Sequence, residues 1–152
     1  MRKLSRSSIS VGLRDQLRRQ GQRIRRLRPH GVRYVVARAN WKLAGKKKLR
    51  KALELMTGGH DRCMYCEYSE AGTVDHFCPI GTDPKQAFHW RNLLLACQPC
   101  QNAKNDNFTK ELLNPARNGY EPWAHMDMEP TTGYYVLNSV AAKSSGPIFR
   151  WD

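Results

Sequence analysis

Two Cys-x2-Cys pairs, Cys63-Met-Tyr-Cys66 and Cys97-Gln-Pro-Cys100, constrain this chain more than any other feature. A pair at this spacing puts two thiolates on one tight turn, aimed at a common point. Two such turns complete the tetrahedron of soft ligands that suits Zn2+. Thirty residues separate Cys66 from Cys97, so the segment between them must fold back to bring the pairs together. Four cysteine ligands would leave no open coordination position, which makes the expected zinc structural. The opening residues MRKLSRSSIS carry positive charge with no apolar stretch behind them and read as no secretory signal. A reducing, cytoplasmic setting is the expectation, where thiols serve as metal ligands more often than as disulfides. Cys78, the fifth cysteine, reads as a small buried hydrophobe rather than another ligand.

Charge is divided unevenly along the 152 residues. Residues 1–51 hold 18 Lys and Arg against one acid, Asp15, for a net +17, whereas residues 52–152 hold 8 basic and 12 acidic residues, for −4. A polyanion is drawn to the first third by Coulomb attraction and counterion release. Nucleic acid is the expected partner, with Arg18, Arg19, Arg25, Arg26, Lys46, Lys47 and Lys48 as contacts. A membrane is not expected: no apolar run approaches the ~20 residues of a span, and the basic segment lacks a lipid-facing stripe of Trp or Phe.

Periodicity divides the chain into three expected parts. In residues 1–59, Leu13, Leu17, Ile24 and Leu27 fall on one helical face before Pro29, and Leu49, Leu53 and Met56 repeat the spacing before Gly58-Gly59. Val32 to Ala39 is β-branched and ambiguous. This part reads as a basic, mainly helical arm that packs on the rest or lies along a ligand. Residues 60–110 change texture: short apolar pieces alternate with Gly, Pro, Asn and Asp. There Val74–Phe77 reads as a strand, Trp90–Ala96 as an apolar segment entering the second Cys pair, and residues 100–108 as one or two helical turns. Residues 111–152 read as an extension packing on that finger, with Gly133–Leu137 its best strand. The fold class expected is α+β.

Between the Cys pairs, Thr73-Val74-Asp75-His76-Phe77-Cys78-Pro79 sets an acid beside an imidazole. Neighbours on a strand point to opposite faces, so at a strand end one can bind a metal while the other addresses a water. Asn92-Leu93-Leu94-Leu95-Ala96-Cys97 and Cys100-Gln101-Asn102-Ala103-Lys104 follow. The ordered run C-x2-C, DH-x2-P, N-L-x3-C-x2-C-x3-K resembles the HNH endonucleases, which are built on a ββα-metal finger. Leu112-Leu113-Asn114-Pro115 and the Thr-Gly-Tyr-Tyr strand further resemble HNH nucleases of bacterial anti-phage systems such as Septu and retron-associated ones, which work with an ATPase partner.

The resemblance implies a phosphodiester hydrolase acting on nucleic acid, DNA being the first expectation. It makes His76 the general base, Asp75 a ligand of a catalytic Mg2+ or Mn2+, and Asn92 the residue that orients the His-bearing loop. It makes Cys63, Cys66, Cys97 and Cys100 the ligands of structural Zn2+. Lys104, just beyond the helix start, is expected at a phosphate. Gln101 departs from the pattern, since the family places His or Asn after the last cysteine to complete the metal site. Gln carries a carbonyl oxygen on a longer stem. That departure sustains a competing reading, a nucleic-acid-binding zinc module whose HNH site is vestigial.

Overall fold

The computed structural model describes residues 4–109, 112–132 and 135–137. Three helices come first: α1 (Val11–Arg26), α2 (His30–Leu43) and α3 (Lys46–Met56). They are followed by an antiparallel pair, β1 (Thr73–His76) and β2 (Leu93–Ala96), by α4 (Gln98–Lys104), and by a second antiparallel pair, β3 (Met126–Met128) and β4 (Tyr135–Leu137). This is a mixed α+β fold. None of the described helices is long and apolar enough to cross a membrane. Of the expected strand 133–137, residues 135–137 are β4; 133 and 134 lie outside the described residues, as do 138–152 of the C-terminal extension.

Each basic helix buries one stripe and turns its cations outward. In α1, Leu13, Leu17 and Ile24 are buried, and the Ser10 side chain accepts a hydrogen bond from Leu13 N–H at 3.3 Å, satisfying one of the free donors of the first turn. Arg23, Arg25 and Arg26 fill the last turn, where the helix dipole favours positive charge. α3 buries Leu49, Leu53 and Met56. It ends as Gly58 and Gly59 take φ of 78° and 80°, a left-handed geometry that glycine adopts without strain. The ambiguous Val32–Ala39 stretch is helical, inside α2. Its Ala37 and Trp41, four residues apart, are buried against the rest. Packing of that face outweighs the weak helix preference of the valines.

β1 pairs with β2 in the register Thr73↔Ala96, Val74↔Leu95, Asp75↔Leu94, His76↔Leu93. Leu93, Leu94, Leu95 and Ala96 are completely buried, because α3 lies against both strands and α4 against β1. The continuous apolar run of β2 therefore reflects cover on both faces. Leucines of α1 and α3, Trp41, the two strands and the cysteines Cys63, Cys97 and Cys100 belong to one hydrophobic core. Of the two placements expected for the basic helices, the structure has the packed one.

Arg6 ties the chain start to this core. Its guanidinium donates to the carbonyls of Leu93 at 2.7 Å, Arg91 at 2.8 Å and Trp90 at 3.0 Å, and lies 5.3 Å over the Trp90 ring. A planar fork of donors can serve carbonyls that a single ammonium cannot. Arg6→Ala should lower unfolding stability by about 2–4 kcal/mol, read from the urea midpoint, because hydrogen bonds from a charged donor contribute about 1.5–3 kcal/mol each and are not additive. Arg6→Lys should recover less than half of the loss. An unchanged midpoint in Arg6→Ala would show that the chain start is not anchored there.

Candidate metal centre and active site

The four cysteines meet as their spacing requires. The sulfurs of Cys63, Cys66, Cys97 and Cys100 lie within 4.8 Å of one another, and Cys66 Sγ is 3.7 Å from Cys97 Sγ. None forms a disulfide. Local backbone makes each turn. Glu67 N–H donates to Cys63 O at 2.9 Å and Cys63 N–H to Tyr68 O at 2.9 Å, closing the first loop. Met64 N–H donates to Leu95 O at 2.8 Å, which fixes that loop to β2. Cys97 caps α4 and Cys100 sits in its first turn. Cys78 lies outside the cluster.

The donor set fits a structural metal such as zinc: four soft sulfurs converge, largely buried, with no fifth group among the described residues. Their acidities point the same way. Hydrogen bonds from Cys100 and Cys66 hold the Cys63 thiol below the ordinary thiol range, while the bond to Cys63 pushes Cys100 above it. Proton sharing of this kind lets one thiolate form easily, and a cation is needed to offset the charge of the others.

Asp75 and His76 leave β1 in different directions. The Asp75 carboxylate is buried, accepts a hydrogen bond from Tyr65 Oη at 2.7 Å, and lies 3.3 Å from Lys104 Nζ. Burial raises its pKa against the opposing pull of Lys104 and of Tyr65. Lys104 is itself buried, and its ammonium also donates to the His76 carbonyl at 2.8 Å. It therefore sits inside the fold, away from the surface position expected of a phosphate contact.

The His76 ring is buried, with Nε2 2.9 Å from the Ala87 carbonyl. A carbonyl only accepts, so Nε2 carries the hydrogen and the neutral ring keeps its lone pair on Nδ1. Burial pushes its pKa down to about 4, with Lys104 and Lys46 adding to the effect. Trp41 stands edge-on to the ring, with centroids 4.3 Å apart.

Asn92 is satisfied on both sides of its amide. Oδ1 accepts from Cys78 N–H at 2.7 Å, and Nδ2 donates to Cys78 O at 2.9 Å and Gln86 O at 3.1 Å. These bonds hold together the two ends of the loop from Cys78 to Gln86, and Ala87, which orients His76, follows directly. Gln101 is half-buried in a cleft with Trp41, Lys46, Lys47, Arg50 and residues 72–74. Nothing among the described residues joins its side chain to Asp75. For a hard divalent cation the donor set is thus a poor fit: the expected carboxylate is engaged by an ammonium, and the expected amide is not bonded to it.

Arg18, Arg19, Arg25 and Arg26 are exposed on α1, and Lys46, Lys47 and Lys48 on the first turn of α3. Three functional candidates were not singled out in the sequence. Trp41 lay just beyond the ambiguous Val32–Ala39 segment, Arg6 among undifferentiated basic residues, and Tyr65 inside the Cys63 loop. The one signal for Tyr65 is its place two residues beyond a ligand in a tight turn, where an aromatic ring is carried inward.

Two outcomes follow from this geometry. Purified protein should carry about one zinc per chain, and Cys97→Ser should lose both the metal and the folded signal of the strand pair, read by metal analysis and circular dichroism. Full stability with zinc retained in Cys97→Ser would defeat the assignment. His76 titrates near ~6.5 when unfolded and at about 4 when folded, so the unfolded chain binds the extra proton between these values. Stability should fall as pH drops from about 6.5 to 4, by on the order of 3 kcal/mol from this group. That component should be missing in His76→Asn when the two proteins' urea midpoints are compared across the range.

Comparison with protein-family models, curated proteins and solved structures gives no match to this chain. The resemblance to HNH endonucleases stands on the ordered residues from Cys63 to Lys104.

Proposed function

We propose that this protein is an HNH-type endonuclease that hydrolyses phosphodiester bonds of nucleic acid, DNA being the first expectation, with β1, β2 and α4 as its ββα finger. The observation that carries the reading is the state of His76. Its Nε2–H is held by the Ala87 carbonyl, its ring is kept neutral by burial, and its Nδ1 is left as a base. In that role Nδ1 takes a proton from the attacking water, the imidazolium formed stays bonded to Ala87, and Asn92 keeps the Ala87 loop in place as a positioning residue. The basic helices supply charge to hold the polyanion. Service with an ATPase in anti-phage defence is the setting that the resemblance suggests.

One observation favours a second reading, a nucleic-acid-binding zinc module without catalysis. The buried Asp75–Lys104 pair occupies the carboxylate that a catalytic metal would need. Removing one partner of such a pair is destabilising by about 3–5 kcal/mol, which is reason enough for the pair to exist without chemistry.

The deciding experiment incubates purified protein with plasmid DNA and with RNA, in Mg2+, in Mn2+ and with neither. The nuclease reading expects cleavage in at least one of these conditions. His76→Ala should lower the rate by roughly 10²–10⁴ with binding retained, the usual worth of a general base. Binding without cleavage under every condition would establish the second reading, and His76→Ala cutting as fast as the parent would remove His76 from the mechanism.

A further inference from the structure

A cleft of about 470 Å3 opens where α3 meets the start of β1. Lys46, Lys47 and Arg50 line it from the basic helices, Gln101 and Val74 from the finger, and Trp41 adjoins them. No carboxylate lines it. Arg50 is fixed by Glu54 at 3.0 Å and by Asp61. Lys46 and Lys47 have no acidic partner among the described residues, and Lys46 Nζ lies 5.4 Å over the Trp41 ring.

The cleft also adjoins the candidate base. Val74 and His76 project from the same face of β1, two residues apart. Trp41 lines the cleft and stands 4.3 Å, centroid to centroid, from the His76 ring. A concave, cationic, acid-free wall suits a phosphodiester, whose charge would draw Lys46 off the indole. The outer arginines of α1 carry as much charge but do not line this cleft.

We propose that this cleft receives a phosphodiester of a nucleic-acid strand, and that Trp41, packed on Phe88 and His76 with Lys46 over its outer face, is the side chain the strand shifts to reach His76. The second half rests on the nuclease reading; the binding half does not. The Trp41 shift accounts for a candidate base that is buried before substrate arrives, and Gln101 becomes a ligand-facing amide of the cleft.

The test titrates a short oligonucleotide into the protein without Mg2+ or Mn2+, following Trp fluorescence and affinity. Lys46→Gln/Lys47→Gln should lose at least tenfold in affinity, and its log affinity–log salt slope should fall by about 1.5. The equally charged Arg14→Gln/Arg23→Gln, exposed on α1 and away from the cleft, should lose less than threefold. The emission change of the parent on binding should be absent from Trp41→Phe. Equal losses in the two double variants would overturn the cleft, and an emission change that survives Trp41→Phe would overturn the Trp41 shift. Inorganic phosphate that reproduces the emission change at the oligonucleotide's concentrations would reduce the cleft to a simple anion site and also overturn the proposal. None of these readouts uses cleavage, so a protein that binds here without cutting sinks the nuclease reading alone.

Discussion

The convergence of four sulfurs sets the geometry of everything around it. Strands of four residues, paired two by two, are marginal in water. The cluster brings the Cys63 loop to the end of β2 and the cap of α4, so a metal bound there would keep strand, loop and helix from shifting relative to one another. Met64 N–H bonded to Leu95 O adds register to that link. Tyr65 is thereby delivered to Asp75 and α4 is laid along β1, which carries Lys104 to the same carboxylate. A metal held by those sulfurs would thus order side chains that never touch it.

The basic helices close the other side. Leu93 to Ala96 are completely dry, a state that a finger of this size could not reach with its own residues; α3 gives Leu49 and Leu53 to the shared core. A segment of +17 folds because each helix needs only one narrow apolar stripe, while its cations stand outward at distances where salt screens their repulsion. Cover and charge come from the same elements. The surface that would attract a polyanion is therefore built onto the face that carries His76.

What could be read from the sequence follows from how local each signal is. The sulfur cluster was legible because a Cys-x2-Cys turn states its own geometry. Helices α1 and α3 were legible from leucine spacing, and the strand at Val74 from its composition. α2 was not, since valines at Val32, Val35 and Val36 obey strand preference locally and are overruled by the burial of Ala37 and Trp41. The long-range partners were also out of reach. Arg6 lies 84 residues from Trp90, and no local pattern distinguishes it from its basic neighbours; Lys104, which the motif does single out, lies 28 residues from His76, and no local pattern names its partners. A cation in a charge run reads as solvated, and one beside a motif reads as a ligand contact; Arg6 is held by carbonyls, and Lys104 by a carbonyl and a buried carboxylate.

The interior position of Lys104 changes how the site divides. On α4, Gln101 and Lys104 are three residues apart and so lie near one face, yet they serve different neighbours along β1. Gln101 meets the strand's start in the cationic cleft, and Lys104 meets Asp75 and the His76 carbonyl. The Asp75 side is dry, charge-balanced and closed by Tyr65. The His76 side carries a neutral ring, an indole edge-on to it and, beyond, lysines with no acidic partner among the described residues. On the proposed reading these are separate tasks: the ion pair anchors helix to strand, and substrate approaches only from the cleft. A buried pair of this kind contributes little net stability over an apolar substitute but imposes a definite register, because any slip leaves a charge unpaired in the core. Asp75 and Lys104 thereby hold β1 at the one setting that presents His76 to Ala87 on one side and to Trp41 on the other.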